Sequence, residues 1–118
     1  MGETARTSRV SEEFREILAE EILKLKDPRV GFVTVTGVKV TPDLRHAWVY
    51  YTSMGDESEK KATRAGLRSA RAHLRQCIGR QVRLKYLPEI EFEEDVSIER
   101  AAHIDELIAE LRRKEADG

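Results

Sequence analysis

The sequence predicts an α+β domain whose elements follow the order α-β-β-α-(α)-β-α, and three observations carry this. Apolar residues recur at the helical period from Phe14 to Leu25. They then alternate with polar residues, at period two, from Val33 to Tyr51. The helical period returns from Leu67 to Ile78.

The elements follow in order. Residues 1–8 lack an apolar pattern and read as a flexible N-terminus. Ser8 or Ser11 can cap a first helix over about 9–26, with Glu12 and Glu13 near its positive end. Phe14, Ile17, Leu18, Ile22 and Leu25 form its buried stripe, and Asp27-Pro28 stops it. A first strand runs from Val30 to Thr41. Its alternation slips one step after Gly37, which predicts a bulge there. Thr41-Pro42-Asp43 breaks the strand, and a second runs from Arg45 to Ser53 with Ala47, Val49 and Tyr51 on one face. The short connection predicts an antiparallel hairpin. A helical segment over about 58–79 buries Leu67, Ala70, Leu74, Cys77 and Ile78, and Gly79 ends it. Val82, Leu84 and Tyr86 alternate into a third strand, which Pro88 interrupts and Ile90 and Phe92 resume. The proline suggests an edge strand or a kink. Ile98, Ala101, Ala102, Asp105, Ile108 and Leu111 space out a last helix, about 97–114.

A chain of 118 residues fits one domain and can bury a core without disulfide or metal staples. The net charge of −1 conceals a strong segregation. Residues 1–59 hold 8 basic and 11 acidic side chains, 60–85 hold 9 basic and none acidic, and 86–118 hold 4 basic and 11 acidic. The local excess of +9 points to a polyanionic partner where the overall charge does not.

At about 100° per residue, Lys61, Arg64, Arg68, Arg71 and Arg75 fall on one stripe, beside the apolar one. No carboxylate within 60–85 can neutralise it at i,i+4 spacing. Arginine dominates, and its planar fork matches phosphate oxygens and stacks on bases. Lys60, Arg80, Arg83 and Lys85 extend the candidate RNA-binding set. Two other readings compete: a plain solvated face, and an intramolecular clamp by Glu99, Asp105, Glu106 or Glu110 of the last helix.

Other chemistries lack a footing. No Walker or dinucleotide-type glycine loop occurs, and His46, His73 and His103 stand apart. Glu91 and Glu93 alternate with Ile90 and Phe92, as on a solvated strand face. Cys77 is the lone cysteine and reads as a small buried thiol, consistent with a reducing compartment. No apolar run approaches the ~20 residues of a membrane span, and no apolar signal core opens the chain. These features predict a cytoplasmic, non-catalytic protein with no metal site and no membrane attachment.

The run Asp27-Pro28-Arg29-Val30-Gly31-Phe32-Val33-Thr34-Val35-Thr36-Gly37-Val38, followed by Thr41-Pro42-Asp43-Leu44-Arg45-His46-Ala47, resembles the ribosome-binding factor A family. So do Arg75-Gln76-Cys77-Ile78-Gly79-Arg80 and Val82-Arg83-Leu84-Lys85-Tyr86-Leu87-Pro88-Glu89-Ile90, and the opening Arg9-Val10. The likeness covers about residues 6–112. It implies a type II KH-like domain, α-β-β-α-α-β, with a three-stranded sheet, helices on one face and an added C-terminal helix. The RNA-binding domain then spans 9–96, and 97–118 form an acidic helix and tail. The resemblance further implies a partner, the free 30S subunit with its 16S rRNA near the 5′-terminal helix. It implies a role in late subunit maturation, rRNA processing and growth in the cold, carried out as a monomer with no cofactor, no small-molecule substrate and no bond-making chemistry. The alternatives are a generic KH-like module, or a protein-interaction adaptor, acting off the ribosome. The family joins its two central helices at an Ala-x-Gly kink, matched here by Ala70-Arg71-Ala72. Alanine in place of glycine favours an unbroken helix by about 1 kcal/mol. It therefore predicts a milder kink, or one shifted toward Ser69.

Overall fold

The computed structural model describes residues 5–96 and 108–114. Its first helix, α1 (Ala5–Leu23), buries Val10, Phe14, Ile17, Leu18 and Ile22, the side expected from the sequence. It begins ahead of the expected residue 9. Residues 5–8, expected to be flexible, are helical because Thr7 extends the buried stripe one turn back. It also stops before residue 26. Lys24 N–H and Leu25 N–H donate to the Glu21 and Ile22 carbonyls, both at 3.1 Å, in a tighter final turn.

The loop after α1 locks itself. Asp27 accepts from the Arg29 backbone N–H at 2.9 Å and from its guanidinium at 2.6 Å. Strand β1 (Val33–Val40) then pairs antiparallel with β2 (His46–Ser53). Val35 opposes Tyr51 and Gly37 opposes Tyr50, so Thr36 is the extra residue of the bulge that the sequence locates at Gly37. In the hairpin turn Leu44 takes φ 61° and buries its side chain. That conformation disfavours a leucine. Leu44 N–H to Thr41 O at 2.8 Å and Arg45 N–H to the Asp43 carboxylate at 3.1 Å hold it.

Helix α2 (Glu57–Ser69) starts at a capping box. Glu59 N–H donates to Asp56 Oδ1 at 2.8 Å, and Asp56 N–H donates to Glu59 Oε1 at 3.2 Å. Thr63 and Gly66 of α2 receive the 27–31 loop. Thr63 Oγ1 accepts from Gly31 N–H at 3.2 Å, and a Cβ on Gly66 would lie 2.5 Å from Val30 Cγ2. The Asp-Pro-Arg-Val-Gly run is therefore a packing element, fitted to α2.

The helical segment expected over 58–79 is two helices, α2 and α3 (Arg71–Gln81), broken at Ala70. Ala70 has φ −85° and ψ −3°, a conformation open to any residue. The break therefore needs no glycine, and Ala72 sits inside the first turn of α3, where alanine is favoured. Tertiary packing outweighs the small propensity term: α2 packs on β3 (Glu89–Glu94) while α3 packs on α1. Gly79 lies inside α3 and is covered by Leu87.

The third strand is shorter than expected. Only Glu89–Glu94 pairs, parallel to β2 at the edge of a sheet ordered β1-β2-β3. Val82, Leu84 and Tyr86 belong to a non-strand segment crossing from α3 to the sheet. Proline has no N–H to give a ladder, so pairing begins just after buried Pro88. A parallel neighbour requires a crossover, which α2 and α3 provide. The helices cover one sheet face. Between them lie Val35, Val49, Tyr51 and Ile90 from the sheet and Phe14, Leu18, Leu67, Leu74 and Ile78 from the helices. This is the expected type II KH-like order, α-β-β-α-α-β. Residues 108–114 are helical and exposed. The rest of the helix expected over 97–114, with Glu99, Asp105 and Glu106, lies outside the described residues.

Candidate nucleic-acid interface

The break at Ala70 divides the basic stripe. Lys61, Arg64 and Arg68 stand on α2, Arg71 and Arg75 on α3. The sequence offers them no local carboxylate, but the fold does. β3 lies beside the helices, and its glutamates face the arginines. Arg64 meets Glu94 at 3.3 Å, Arg71 meets Glu91 at 3.2 Å, and Arg75 meets Glu89 at 3.3 Å. Lys60 approaches Glu94 at 4.0 Å. An uncompensated row of five cations is thus not what the structure contains. Glu91, expected on a solvated strand face, acts together with Glu89 as a counter-ion at the sheet edge.

These arginines differ in how firmly they are held. Arg64 also donates to the Tyr51 hydroxyl, and Glu94 holds its guanidinium more firmly charged than usual. Burial, and then Glu94, push the Tyr51 hydroxyl above its ordinary range, so it stays neutral as it accepts from Arg64. Arg71 has one exposed partner, and such a pair contributes little. Arg75 is anchored: its Nε donates to Pro88 O at 2.8 Å and its NH2 to Leu87 O at 3.2 Å. It satisfies carbonyls that a longer strand would have paired. Charged side chains along β3 also discourage edge-to-edge association.

Lys61, Arg68, Arg80, Arg83 and Lys85 are exposed. None has a carboxylate partner among the described residues. They follow α2, the end of α3 and the 82–88 crossing. Of the nine candidate RNA contacts, these five are the most available to phosphate oxygens. The sequence reading missed Arg45. It lies across from Tyr86, with its guanidinium carbon 4.3 Å from the ring centroid. Only the parallel docking of β3 on β2 brings them together, with Glu89 N–H donating to Arg45 O at 2.7 Å, and no local spacing signals it.

The other groups read as structural. Cys77 is buried, 3.6 Å from His73 Nε2. Burial, and then Glu21, push its thiol above the ordinary range, away from the reactive thiolate. A cleft of about 400 Å³ opens between the 27–32 loop and α2. Its charged walls, Arg29 and Glu59, are already engaged by Asp27 and by the Asp56 backbone. Among the described residues no group of three or more His, Cys, Asp or Glu could hold a metal ion. No described helix is long and apolar enough to cross a membrane.

Residues 6–108 match the family model of ribosome-binding factor A. A ribosome-binding factor A of Geobacter sulfurreducens is 49% identical over 107 residues, covering 90% of this chain and 91% of that protein. The solution structure of a Thermotoga maritima protein, described as a putative ribosome-binding factor A, superposes with TM-score 0.71. It is 35% identical and covers 80% of this chain and 92% of its own. A homology model of the Thermus thermophilus ribosome-binding factor A, fitted into a cryo-EM map of a complex with the 30S subunit, gives TM-score 0.62. It is 30% identical, covering 73% of this chain and 91% of that one.

Proposed function

This chain belongs to the ribosome-binding factor A family, and from that membership we propose that it binds the free 30S subunit through 16S rRNA and acts there without catalysing a reaction. The RNA-binding unit is the folded body within 9–96, with the acidic segment 97–118 appended. It acts as a monomer in the cytoplasm, needs no cofactor, and favours late maturation and rRNA processing near the 5′-terminal helix, above all in the cold.

The observation that carries the reading is the set of exposed cations, Lys61, Arg68, Arg80, Arg83 and Lys85, which no described carboxylate offsets. Their field attracts a phosphate backbone, and displaced counterions drive association. Arg71 forms a reserve: it can exchange the exposed Glu91 for a phosphate at small cost. Arg75 and the core behind it hold the surface rigid. Binding one rRNA conformer more tightly than its competitors shifts the population toward that conformer. Loss of the site in the mature subunit releases the protein.

The test is co-sedimentation of the purified chain with 30S subunits, 50S subunits and 70S ribosomes across a salt series. Selective, salt-sensitive pelleting with 30S is expected. Equal pelleting with all three would reduce the activity to nonspecific RNA binding, and none at low salt would favour a protein partner.

A further inference from the structure

We propose that the Arg45–Tyr86 stack is a subsite for one unpaired nucleotide, whose base adds to the stack while the surrounding cations hold its phosphates. The proposal deepens the RNA-binding reading given above and rests on it only for the source of the RNA.

Tyr86 lies in the 82–88 crossing and is 50% exposed. An aromatic ring left half in water gains by acquiring a second partner. Its first is in place: the Arg45 guanidinium, from the turn before β2, sits over the ring at 4.3 Å. Lys85 Nζ lies 5.7 Å from the same centroid. A small cleft next to the ring is walled by Arg6, Asp43, Leu44 and Arg83. The cluster thus gathers four cations, Arg6, Arg45, Arg83 and Lys85, around one ring. None of the four forms a close ion pair with a carboxylate among the described residues, Asp43 acting on the Arg45 guanidinium only through its field. Asp43 is the acid at this site, and its carboxylate is occupied by the Thr41 hydroxyl at 2.6 Å and Arg45 N–H at 3.1 Å. Glu89, nearby in sequence, is taken by Arg75.

This chemistry selects a nucleotide. A guanidinium stacked on an aromatic ring presents flat, polarisable faces, and every base has a face to match. Phosphates on either side of that base find Arg83, Arg6 and Lys85. Duplex RNA keeps its bases stacked internally, so only an unpaired nucleotide can reach the ring. The leucine at φ 61° and the bonds around Asp43 fix the turn that carries Arg45, so the stack is ordered before RNA arrives. Arg80 and Arg83 line one open cleft, so the cluster adjoins the exposed end of α3.

The experiment is fluorescence anisotropy at one low salt concentration, with a labelled single-stranded RNA and a duplex, each of about ten nucleotides, within the usual site size. The wild-type chain should prefer the single strand. Tyr86→Leu keeps apolar bulk and removes the ring; it should weaken single-strand binding by about tenfold and leave duplex binding unchanged. Tyr86→Phe should retain the preference. Arg45→Gln should lose part of it, and serves if Tyr86→Leu does not fold. The proposal is overturned if Tyr86→Leu binds the single strand like the wild type, or if both RNAs weaken alike. Displacement of the single strand by oligoglutamate as readily as by unlabelled RNA would also overturn it, assigning the cluster to an acidic protein. Pelleting with 30S subunits on the same preparations separates the two readings. Retained pelleting with no effect of Tyr86→Leu on the oligonucleotide removes the subsite alone, and a ring-dependent preference without pelleting removes the ribosomal reading alone.

Discussion

Replacing Lys61 and Arg68 together by alanine should flatten the salt dependence of 30S binding. Both side chains are exposed on α2 and belong to one stripe, two turns apart. Each phosphate contact contributes about 0.9 to the slope of log K against log salt on duplex nucleic acid, and about 0.7 on single strands. Two contacts therefore remove roughly 1.4 to 1.8 from the slope. Between roughly 50 and 200 mM salt, the affinity lost by the double variant should be about tenfold smaller than that lost by the wild type. Arg64→Ala with Arg71→Ala is the matched control. Those guanidinia already face Glu94 and Glu91, so they displace fewer counterions from RNA, and the slope should change by less than half as much. Quantitative pelleting or anisotropy with labelled 30S subunits at five or more salt concentrations reads both slopes. Thermal unfolding should barely move in the first variant, because neither residue supports the core. A slope unaltered by losing Lys61 and Arg68, or lowered equally by the paired control, would refute the reasoning that available cations carry the contact.

Gly66→Ala should destabilise the fold by about 1–3 kcal/mol, because its Cβ would press on Val30 at 2.5 Å with the Val30 backbone close behind. Thermal denaturation checks it, and an unchanged midpoint would mean that the 27–31 loop moves aside freely. Arg75→Gln should cost about 1–3 kcal/mol, since it strips the Leu87 and Pro88 carbonyls of a charged donor. Its 30S slope, corrected for folded fraction, should stay near that of the wild type, and a large slope change would make Arg75 a phosphate contact instead. The Asp27 carboxyl is held below its ordinary range, first by the Arg29 guanidinium and then by the Arg29 backbone N–H. A lowered folded-state pKa contributes stability above the unfolded value of about 4, lost as pH falls through the folded value. Amide exchange at Arg29 and Gly31, corrected for its intrinsic pH dependence, should therefore lose protection below about pH 4. The Asp27→Asn variant should show that loss already at neutral pH.

Local patterns in this sequence determine local structure well. The stripe of α1, the alternation of β1 and β2, the bulge before Gly37 and the burial of Cys77 all follow from residue spacing. The basic excess of 60–85 is equally legible, because it is a matter of composition. Three features were not. Spacing alone favoured a continuous helix through Ala70; the family resemblance implied two helices there, and the chain does break, since a propensity of about 1 kcal/mol yields to packing of α2 and α3 on different partners. Alternation extended the third strand back to Val82, and Pro88 confined it to Glu89–Glu94. The basic row looked unopposed because i,i+4 reasoning sees a single helix. The parallel crossover set β3 beside that helix and supplied Glu89, Glu91 and Glu94 from as many as 30 residues away. The same topology joined Arg45 to Tyr86. Periodicity is a property of one element and can be read along the chain. Which charges meet depends on which elements become neighbours, and burying the apolar faces together decided that.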